Sequence, residues 1–349
     1  MPTSRPRTPD GVSWGPRPRE AGLAAVISTD LTRLLGVRHP IVSAPMAGWS
    51  GGELAGAVSA AGAFGMIGVG SATLTDWIPA QAKLARRHGT FGFGLMSWVL
   101  EKRPELLEAV LAEEPAAVSL SFGDPAPFVG RVREAGAVVM SQVQDAGKAE
   151  RAVEAGVDVL VAQGTDAGGH TGKVGTLPLL QKVLEIGEKA GKPVLAAGGI
   201  GTGRGIAGVL AMGASGAWIG TRFCATREAT GTDEAKRLIL ESDETATVHT
   251  RVFDLVQDIP WPEEFAGRAI RNSFSDRWHG REDQLEEQRP GVTADFEASR
   301  GDYAEDFVYS GQAAGLVDDV PPAGELVERL VTEAETYLRA CDALLGGGS

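Results

Sequence analysis

Between residues 40 and 229, short apolar segments alternate with longer segments in which apolar residues recur every three or four positions. The apolar segments cover residues 40–46, 64–70, 90–96, 116–123, 137–143, 157–164, 193–199 and 216–223. Each has the length of a strand, is mostly apolar throughout and is bounded by glycine or proline, which is typical of parallel strands buried on both faces. The intervening segments have helical periodicity, and several close with glycine just after the last turn, a common helix stop signal.

Eight strand–helix units in succession predict an α/β protein folded as a (β/α)8 TIM barrel. An open, doubly wound parallel sheet is the alternative fold. That fold rarely needs eight consecutive parallel strands, and no G-x-G-x-x-G motif opens the first unit of this chain. The segment "GIGTGRG" matches the motif loosely, but it follows the seventh strand, so it is a weak sign of dinucleotide binding.

The pattern predicts three parts of the chain. Residues 1–28 are rich in proline and arginine and lack the apolar core of a signal peptide, which predicts a disordered leader. Residues 29–240 predict the barrel itself. Residues 241–349 are more polar and end in an amphipathic helical pattern, which predicts a helical C-terminal appendage. This appendage could close over the active site or make the subunit contact of a homodimer, and the pattern leaves both open.

Charge and composition exclude several classes of partner. The net charge is −13, so we expect no nucleic-acid-binding surface. Residues 54–75 carry no charge, but glycines interrupt them, which favours a helix and a buried strand over a membrane-spanning helix. Cys224 and Cys341 lack the spacing of a disulfide framework or a zinc site. We therefore expect a cytoplasmic protein that acts on small molecules.

The loops after the seventh and eighth strands predict a phosphate-binding site. They read "GGIGTGRG" from Gly198 and "GTRF" from Gly220, and barrels often bind phosphate with these two loops. Glycines let backbone N–H groups approach phosphate oxygens, and the helix that begins near Gly203 would add the positive end of its dipole. The plainer alternative is that both segments are only tight turns.

His170 is the candidate catalytic residue. It lies in "AQGTDAGGHTG" after the sixth strand and is the only histidine expected at the mouth of the barrel. An imidazole can carry a proton near neutral pH, although a lone histidine can also be purely structural. Asp166, the one nearby acid, could brace the loop or react. The strand-end loops contain no paired carboxylates, catalytic triad or metal-ligand spacing, so we expect a phosphate-bearing cofactor, FMN, to carry the chemistry.

Four segments, "PIVSAPMAG", "VAQGTDAGGHTG", "PVLAAGGIGTGRG" and "GAWIGTRF", resemble the nitronate monooxygenase family, once called 2-nitropropane dioxygenases, in order and spacing. The resemblance covers about residues 30–285 and implies a metal-free FMN barrel. The FMN-binding residues that it implies are Ala44, Pro45, Met46, Gly94, Gln142, Gln163, Gly164, Gly198, Gly199, Ile200, Gly220 and Thr221. It implies that Gly168, Gly169 and His170 face the substrate, with glycines that let the backbone pass close to the flat flavin.

The reaction implied by the resemblance is oxidation of an alkyl nitronate, or of a nitroalkane, by O2 to a carbonyl compound and nitrite. His170 would bond the nitronate or take the α-proton of the nitroalkane. Two positions depart from the family pattern: many relatives carry Asn in place of Gly94 and Lys in place of Gln142. A neutral glutamine cannot offset the charge of reduced flavin as an ammonium does, so the oxidising substrate stays open.

Three other functions stay open at this point. Similar barrels act as NAD(P)H-dependent quinone or enoyl-thioester reductases, in which the histidine donates a proton. Phosphate-binding isomerases and synthases usually place lysine or paired acids at the strand ends, and neither occurs in this chain. A binding module without catalytic activity would give no reason for His170.

Overall fold

The computed structural model describes residues 27–344, so most of the expected leader lies outside the described residues. The strands are β1 (Ile41–Ser43), β2 (Phe64–Gly68), β3 (Phe91–Met96), β4 (Ala117–Ser121), β5 (Val138–Val143), β6 (Val159–Gln163), β7 (Gly169–Thr171), β8 (Val194–Ala197), β9 (Gly216–Ile219), β10 (Thr247–Thr250) and β11 (Ala266–Ile270). Strands β1–β6, β8 and β9 form a closed parallel barrel, in which β1 pairs with both β2 and β9. Each falls in a segment expected to be a strand, so the (β/α)8 prediction is confirmed.

Helices follow the barrel strands as the periodicity predicts. They are α1 (Asp30–Leu35), α2 (Gly52–Ala60), α3 (Trp77–Arg86), α4 (Ser97–Leu100), α5 (Glu105–Leu111), α6 (Ala126–Glu134), α7 (Ala146–Glu154), α8 (Thr176–Ala190), α9 (Gly203–Ala211), α10 (Thr221–Cys224), α11 (Asp233–Glu241), α12 (Val252–Val256), α13 (Ser273–Trp278), α14 (Glu282–Ala298) and α15 (Ala323–Leu344), with a 3-10 helix at Gln312–Leu316. The uncharged segment 54–75 folds as the end of α2 and the whole of β2, as expected. Across residues 27–344, no helix is both long enough and apolar enough to cross a membrane.

The inward-facing positions of the barrel change from apolar to polar along the strand direction. Near the start of the strands, Phe64, Met140 and Val161 belong to an apolar cluster that fills the barrel. Gln142 lies two residues after Met140 on β5, and Gln163 lies two residues after Val161 on β6. Because alternate residues of a strand point to the same face, both glutamines also point into the barrel. The interior of the barrel is therefore apolar at the N-terminal end of the strands and polar at the C-terminal end, where barrels of this type have their active sites.

The C-terminal part of the chain differs from the expected helical appendage in two ways. Residues 225–322, here called the insertion, contain two strands as well as helices. Strands β10 and β11 pair antiparallel, and β11 pairs with β7 of the expected glycine loop, which gives a small three-stranded sheet. The periodicity missed these strands because they are short and one of them, β11, carries the sequence "AGRAI" with little alternation.

The final helix belongs to the barrel. Ala323, Leu326, Leu330 and Ala334 of α15 are buried in the same apolar cluster as the barrel helices, and α15 packs against α9 and α2. It therefore occupies the place of the eighth outer helix. The barrel therefore does not end at residue 240, as expected. The insertion lies between the last barrel strand, β9, and the last barrel helix, α15.

Candidate active site

A cavity of about 900 Å³ opens at the C-terminal end of the barrel. That volume is within the range of small-molecule and cofactor sites. Its walls come from the barrel loops and from the insertion. Of the residues expected to bind cofactor or substrate, those that line it are Ala44, Pro45, Met46, Gly94, Gln142, Gln163, Gly168, Gly169, His170, Gly198, Gly199, Ile200, Gly220 and Thr221. The structure thus brings these residues to one cavity, while their individual roles stay predictions.

Gly164 is the exception. It lies outside the cavity lining, and a Cβ at this position would lie 2.1 Å from Oγ1 of Thr176. Glycine is needed here because the strand end packs directly against the start of α8. A direct contact between Gly164 and a cofactor is therefore not supported by the geometry.

The loops after β8 and β9 form one end of the cavity. Gly198 and Gly199 have positive φ values of 107° and 70°, a conformation that favours glycine. Within the described chain, the N–H groups of Gly199 and Ile200 donate to no protein acceptor. The Thr221 hydroxyl oxygen accepts a hydrogen bond from the N–H of Gly311 at 2.9 Å, so its own proton is free to donate into the cavity. This end can hold an anion such as a phosphate.

The expected contribution of the α9 dipole is not found. The N–H of Gly203 donates to Oε2 of Glu333 at 2.8 Å, and a Cβ at Gly203 would lie 2.5 Å from the backbone nitrogen of Ala334. The N-terminus of α9 therefore faces α15, and the carboxylate of Glu333 already occupies its first N–H. Any phosphate in the cavity depends on the loop N–H groups.

Neutral polar side chains line the part of the cavity formed by β4–β6. Ser119 and Ser121 are joined by a hydrogen bond of 2.9 Å between their hydroxyl oxygens, and Gln142 and Gln163 lie on the neighbouring strands. Of the residues that the structure describes, no lysine or arginine lines the cavity. The wall thus offers donors and acceptors to a ring edge without a compensating positive charge.

Two sulfur-containing residues and a proline lie at the β1 end. The sulfur of Cys224 is 3.3 Å from that of Met46, and burial raises the pKa of the Cys224 thiol to about 12. Beside them, the ring of Pro45 occupies the space that a side chain at Gly94 would need, since a Cβ there would lie 2.2 Å from Pro45 Cγ. The packing of Pro45 therefore leaves no room for the asparagine that many relatives carry at this position.

His170 lies on β7 and is joined to a carboxylate. Its Nε2 is 2.9 Å from both carboxylate oxygens of Asp254, and both side chains are buried. Its backbone carbonyl accepts a hydrogen bond of 3.1 Å from the Gln163 amide. The other ring nitrogen, Nδ1, has no partner among the described residues, and His170 lines the cavity. The carboxylate fixes the tautomer with the proton on Nε2, which leaves the lone pair of Nδ1 for a ligand.

Two aromatic residues of the insertion complete the surroundings of His170. The indole of Trp261 stacks on the imidazole with ring centroids 3.5 Å apart and planes 9° apart. The hydroxyl of Tyr309 donates to Asp254 Oδ1 at 3.3 Å, and burial together with that carboxylate raises the pKa of Tyr309 well above its usual value. Tyr309 therefore stays a neutral donor, and Trp261 covers one face of the ring.

Asp166 braces the loop and does not approach His170 as a partner. Its carboxylate accepts a hydrogen bond of 2.8 Å from the N–H of Thr176 at the start of α8. The glycines of this loop also pack mainly against protein: a Cβ at Gly168 would lie 2.5 Å from the nitrogen of Gly311, and one at Gly172 would lie 2.6 Å from Gln144 Cβ. Of these three glycines only Gly169, with φ of 70° and no neighbour within 4 Å, has the open space expected of a position that faces the substrate.

Sequence reasoning missed Asp254, Trp261 and Tyr309. All three lie in the insertion, which has no barrel periodicity to assign their faces. The segment "IPWP" around Trp261 was the available signal, because two prolines fix the backbone on either side of a large aromatic side chain. No sequence signal pointed to Asp254 or Tyr309, since they come close to His170 only through the pairing of the small sheet.

The residues present fit FMN. Free N–H groups lie at the phosphate-sized end, neutral donors and acceptors lie on β4–β6, and the cavity has room for a cofactor and a small substrate. The described residues contain no cluster of three or more histidine, cysteine, aspartate or glutamate side chains arranged to hold a metal ion.

Comparisons with known proteins extend these observations. Residues 101–333 match the family model described as nitronate monooxygenase. The chain is 31% identical to the (3aS,4S,5R,7aS)-5-hydroxy-7a-methyl-1-oxo-octahydro-1H-indene-4-carboxyl-CoA dehydrogenase of Mycobacterium tuberculosis, over 91% of this chain and 99% of that protein. It is also 31% identical to a nitronate monooxygenase of Neurospora crassa, over 87% of this chain and 91% of the relative. Among solved structures, FabK from Thermotoga maritima matches with a TM-score of 0.78 and 27% identity, over 91% of this chain and 99% of that one.

Proposed function

Because this chain belongs to the nitronate monooxygenase family of oxidoreductases, we propose that it binds FMN and oxidises alkyl nitronates and the nitroalkanes from which they form. The family resemblance of the four motifs is thereby confirmed, while cofactor and substrate are our proposal. The observation that carries it is the His170–Asp254 pair: His170 lines a cavity with the features of an FMN site, and its Nδ1 has no partner among the described residues.

FMN would be held by backbone and neutral side chains. Its phosphate would accept hydrogen bonds from the N–H groups of Gly199 and Ile200 and from the Thr221 hydroxyl. Its ring edge would meet Gln142 and the serine hydroxyls of β4. When bound, FMN supplies the electron acceptor for the substrate and the electron donor for O2.

His170 would act as a general base. With Nε2–H donated to Asp254, the lone pair on Nδ1 can take the α-proton of a nitroalkane, and Asp254 stabilises the imidazolium that forms. The imidazolium then lies next to the new nitronate anion, which it stabilises by charge. With a nitronate supplied directly, His170 has only to bind and orient it.

The surroundings of His170 favour this role. Trp261 covers one face of the ring, which keeps water from that face, and its indole π-system would stabilise an imidazolium formed during proton transfer. Tyr309 donates to Asp254, which keeps the carboxylate directed at Nε2. The Gln163 amide holds the backbone of His170 from the barrel side.

A spectroscopic titration tests the proposal. The purified protein should show flavin absorbance, and anaerobic addition of propyl-2-nitronate should bleach it, with release of nitrite on admission of O2. A protein that never shows flavin absorbance, even after incubation with FMN, would contradict the cofactor assignment. Absence of bleaching by nitronate would contradict the substrate assignment.

A second function is favoured by one observation. The relative from Mycobacterium tuberculosis is named as a dehydrogenase of a carboxyl-CoA compound. The alignment with this chain covers almost the whole length of that relative. A thioester also acidifies its α-carbon, so His170 could serve the same proton transfer. Bleaching by NADH, or turnover of an acyl-CoA, without bleaching by nitronate would favour this alternative.

A further inference from the structure

Phe122, directly after β4, is held in a costly backbone conformation. Its φ is 61°, in the left-handed region that a bulky side chain rarely adopts, and Gly123 follows with φ of 151°. This conformation puts its ring on the cavity lining, edge-to-face with Trp261 at 5.3 Å and with Phe265 at 5.4 Å. Strain of this kind persists only where surrounding contacts maintain it, so the position of the ring is a specified feature of the site.

Trp261 faces Phe122 from the insertion. Pro260 and Pro262 fix the backbone on either side of it, and its indole also lies 5.2 Å from that of Trp98, which follows β3. Trp261 therefore joins two barrel loops to the insertion. It also stacks on His170, so this wall continues to the imidazole.

The loop after β2 continues the wall. Leu74 and Trp77 line the cavity, and Leu74 is 66% exposed, the largest value among the exposed large apolar side chains of the residues that the structure describes. The loop is held in place by Arg103, whose guanidinium donates to the carbonyls of Ser71 at 2.8 Å and Thr73 at 2.9 Å. Leu74 is therefore held beside Trp77, and it is as part of an apolar group lining a cavity, not as a single exposed residue, that it indicates a binding surface.

These side chains line the cavity across from the loops after β8 and β9. We call Leu74, Trp77, Met96, Phe122, Ile259 and Trp261 the apolar chamber; all line the cavity. In the barrel order, β3 and β4 lie diametrically opposite β8 and β9, whose loops offer the free N–H groups. A cofactor anchored at β8 and β9 therefore leaves the chamber on the far side of the mouth.

We propose that the apolar chamber binds an extended alkyl or ring substituent on the α-carbon of the substrate, so that the substrate is a hydrophobic nitro compound of more than three carbons. The inference rests on the proposed function for the identity of the reacting group. The chamber carries no charged side chain, so a neutral apolar substituent matches it. Each additional buried methylene should tighten binding about fourfold.

The test measures binding separately from turnover. Dissociation constants of 1-nitroalkanes from nitroethane to nitrohexane are measured by calorimetry without O2 on enzyme whose flavin has been reduced beforehand, so that no turnover occurs, and nitrite release is assayed in parallel with O2. The wild-type series should tighten by about fourfold per methylene until the chamber is filled. Phe122→Gly should flatten the series, and it is expected to fold because glycine relieves the strained φ.

Glu114→Gly is the matched control. Glu114 also has a positive φ, 47°, but it precedes β4 at the opposite end of the barrel and is exposed, so its variant should keep the wild-type series. The chamber proposal would be wrong if the dissociation constants of the wild-type protein do not fall with chain length, or if Phe122→Gly leaves that series unchanged. A series that tightens without nitrite release would instead overturn the proposed function and leave the chamber standing.

Discussion

The two walls of the cavity, one from the barrel and one from the insertion, differ in the chemical groups that they present. The barrel wall offers backbone N–H groups, glycines and neutral side chains such as Gln142, Ser119 and Ser121. The insertion wall offers a carboxylate and large aromatic rings, Asp254, Trp261 and Tyr309. His170 lies between them, on a strand that leaves the barrel and pairs with the insertion.

This difference separates two tasks within one site. A rigid cofactor can be held by backbone groups, which are positioned by the strands themselves. A substrate must be distinguished by shape and must exchange a proton, which requires side chains of definite size and charge. The barrel wall at β5, β8 and β9 thus suits the cofactor. The insertion wall, together with the barrel residues of the apolar chamber, suits the substrate, and the insertion also supplies the groups around His170.

The largest effect is expected at the residue that the two walls share. His170→Ala should keep FMN bound but lower turnover of a nitroalkane by about 10²-fold or more, because the general base is lost. Turnover of a preformed nitronate should fall at least about tenfold. Steady-state kinetics with both substrates measures this, and unchanged kinetics would return His170 to a structural role.

His249→Gln is the control for that variant. His249 lies on β10 of the same small sheet and bonds the carbonyl of Ala266, but it does not line the cavity. Its replacement should leave turnover within about threefold of wild type, since it removes no group near the substrate.

A smaller loss is expected when the insertion wall is altered beside His170. Asp254→Asn should lower nitroalkane turnover about 10- to 100-fold, because an amide no longer fixes the tautomer or stabilises the imidazolium. Flavin content should be unchanged, since Asp254 lies on the substrate side.

Tyr309→Phe separates this effect from simple damage to the insertion. It removes only the 3.3 Å hydrogen bond to Asp254 and should cost at most about fivefold in turnover. Equal losses in both variants would mean that the hydrogen bond from Tyr309, and not the charge of Asp254, governs the activity of His170.

The barrel wall is tested through Gln142. Gln142→Lys should raise the reduction potential of bound FMN by on the order of 50 mV, because a nearby ammonium stabilises the reduced, negatively charged flavin. Dye-equilibration potentiometry measures the shift. Gln142→Met, which adds no charge, should shift the potential much less, and a similar shift in both variants would show that position 142 does not act by charge.

The smallest effect concerns Cys224 in the barrel wall. Its pKa of about 12 leaves roughly one thiolate in 10⁴ at pH 8, so iodoacetamide should modify exposed Cys341 and spare Cys224. Mass spectrometry of the labelled native protein measures this. Because the pKa of the Cys224 thiol in the folded protein lies above its usual value of 9.0, the neutral thiol stabilises the fold below about pH 9, and that contribution is lost as the pH rises toward 12. Rapid native labelling of Cys224 would contradict the burial of this wall.

The barrel wall could be predicted from the sequence and the insertion wall could not, for a physical reason. Each barrel strand is apolar on both faces because both faces are covered, so the eight strands and their polar C-terminal ends are visible along the chain. His170 could be predicted because it follows the sixth strand. Asp254 lies 84 residues further on, and its contact with His170 is set by the pairing of β7 with β11.

Glycines in the His170 loop show a further limit of sequence reasoning. A glycine indicates that something approaches the backbone closely, but not what approaches. Gly164 was expected beside the flavin and Gly168 at the substrate. The structure packs Gly164 against Thr176, and it packs Gly168 against Gly311 at the edge of the cavity. The sequence pattern thus identified the crowded positions correctly but not the groups that crowd them.

The position of α15 has a consequence for how the protein is made. All eight barrel strands and the whole insertion precede it, so a nascent chain on the ribosome has its strands before it has its eighth outer helix. Until residues 323–344 emerge, the apolar sides of α9 and α2 stay uncovered, a surface that chaperones recognise. Nascent chains arrested before residue 323 should therefore be cut by protease within α9, and chains long enough to release α15 should resist cleavage there.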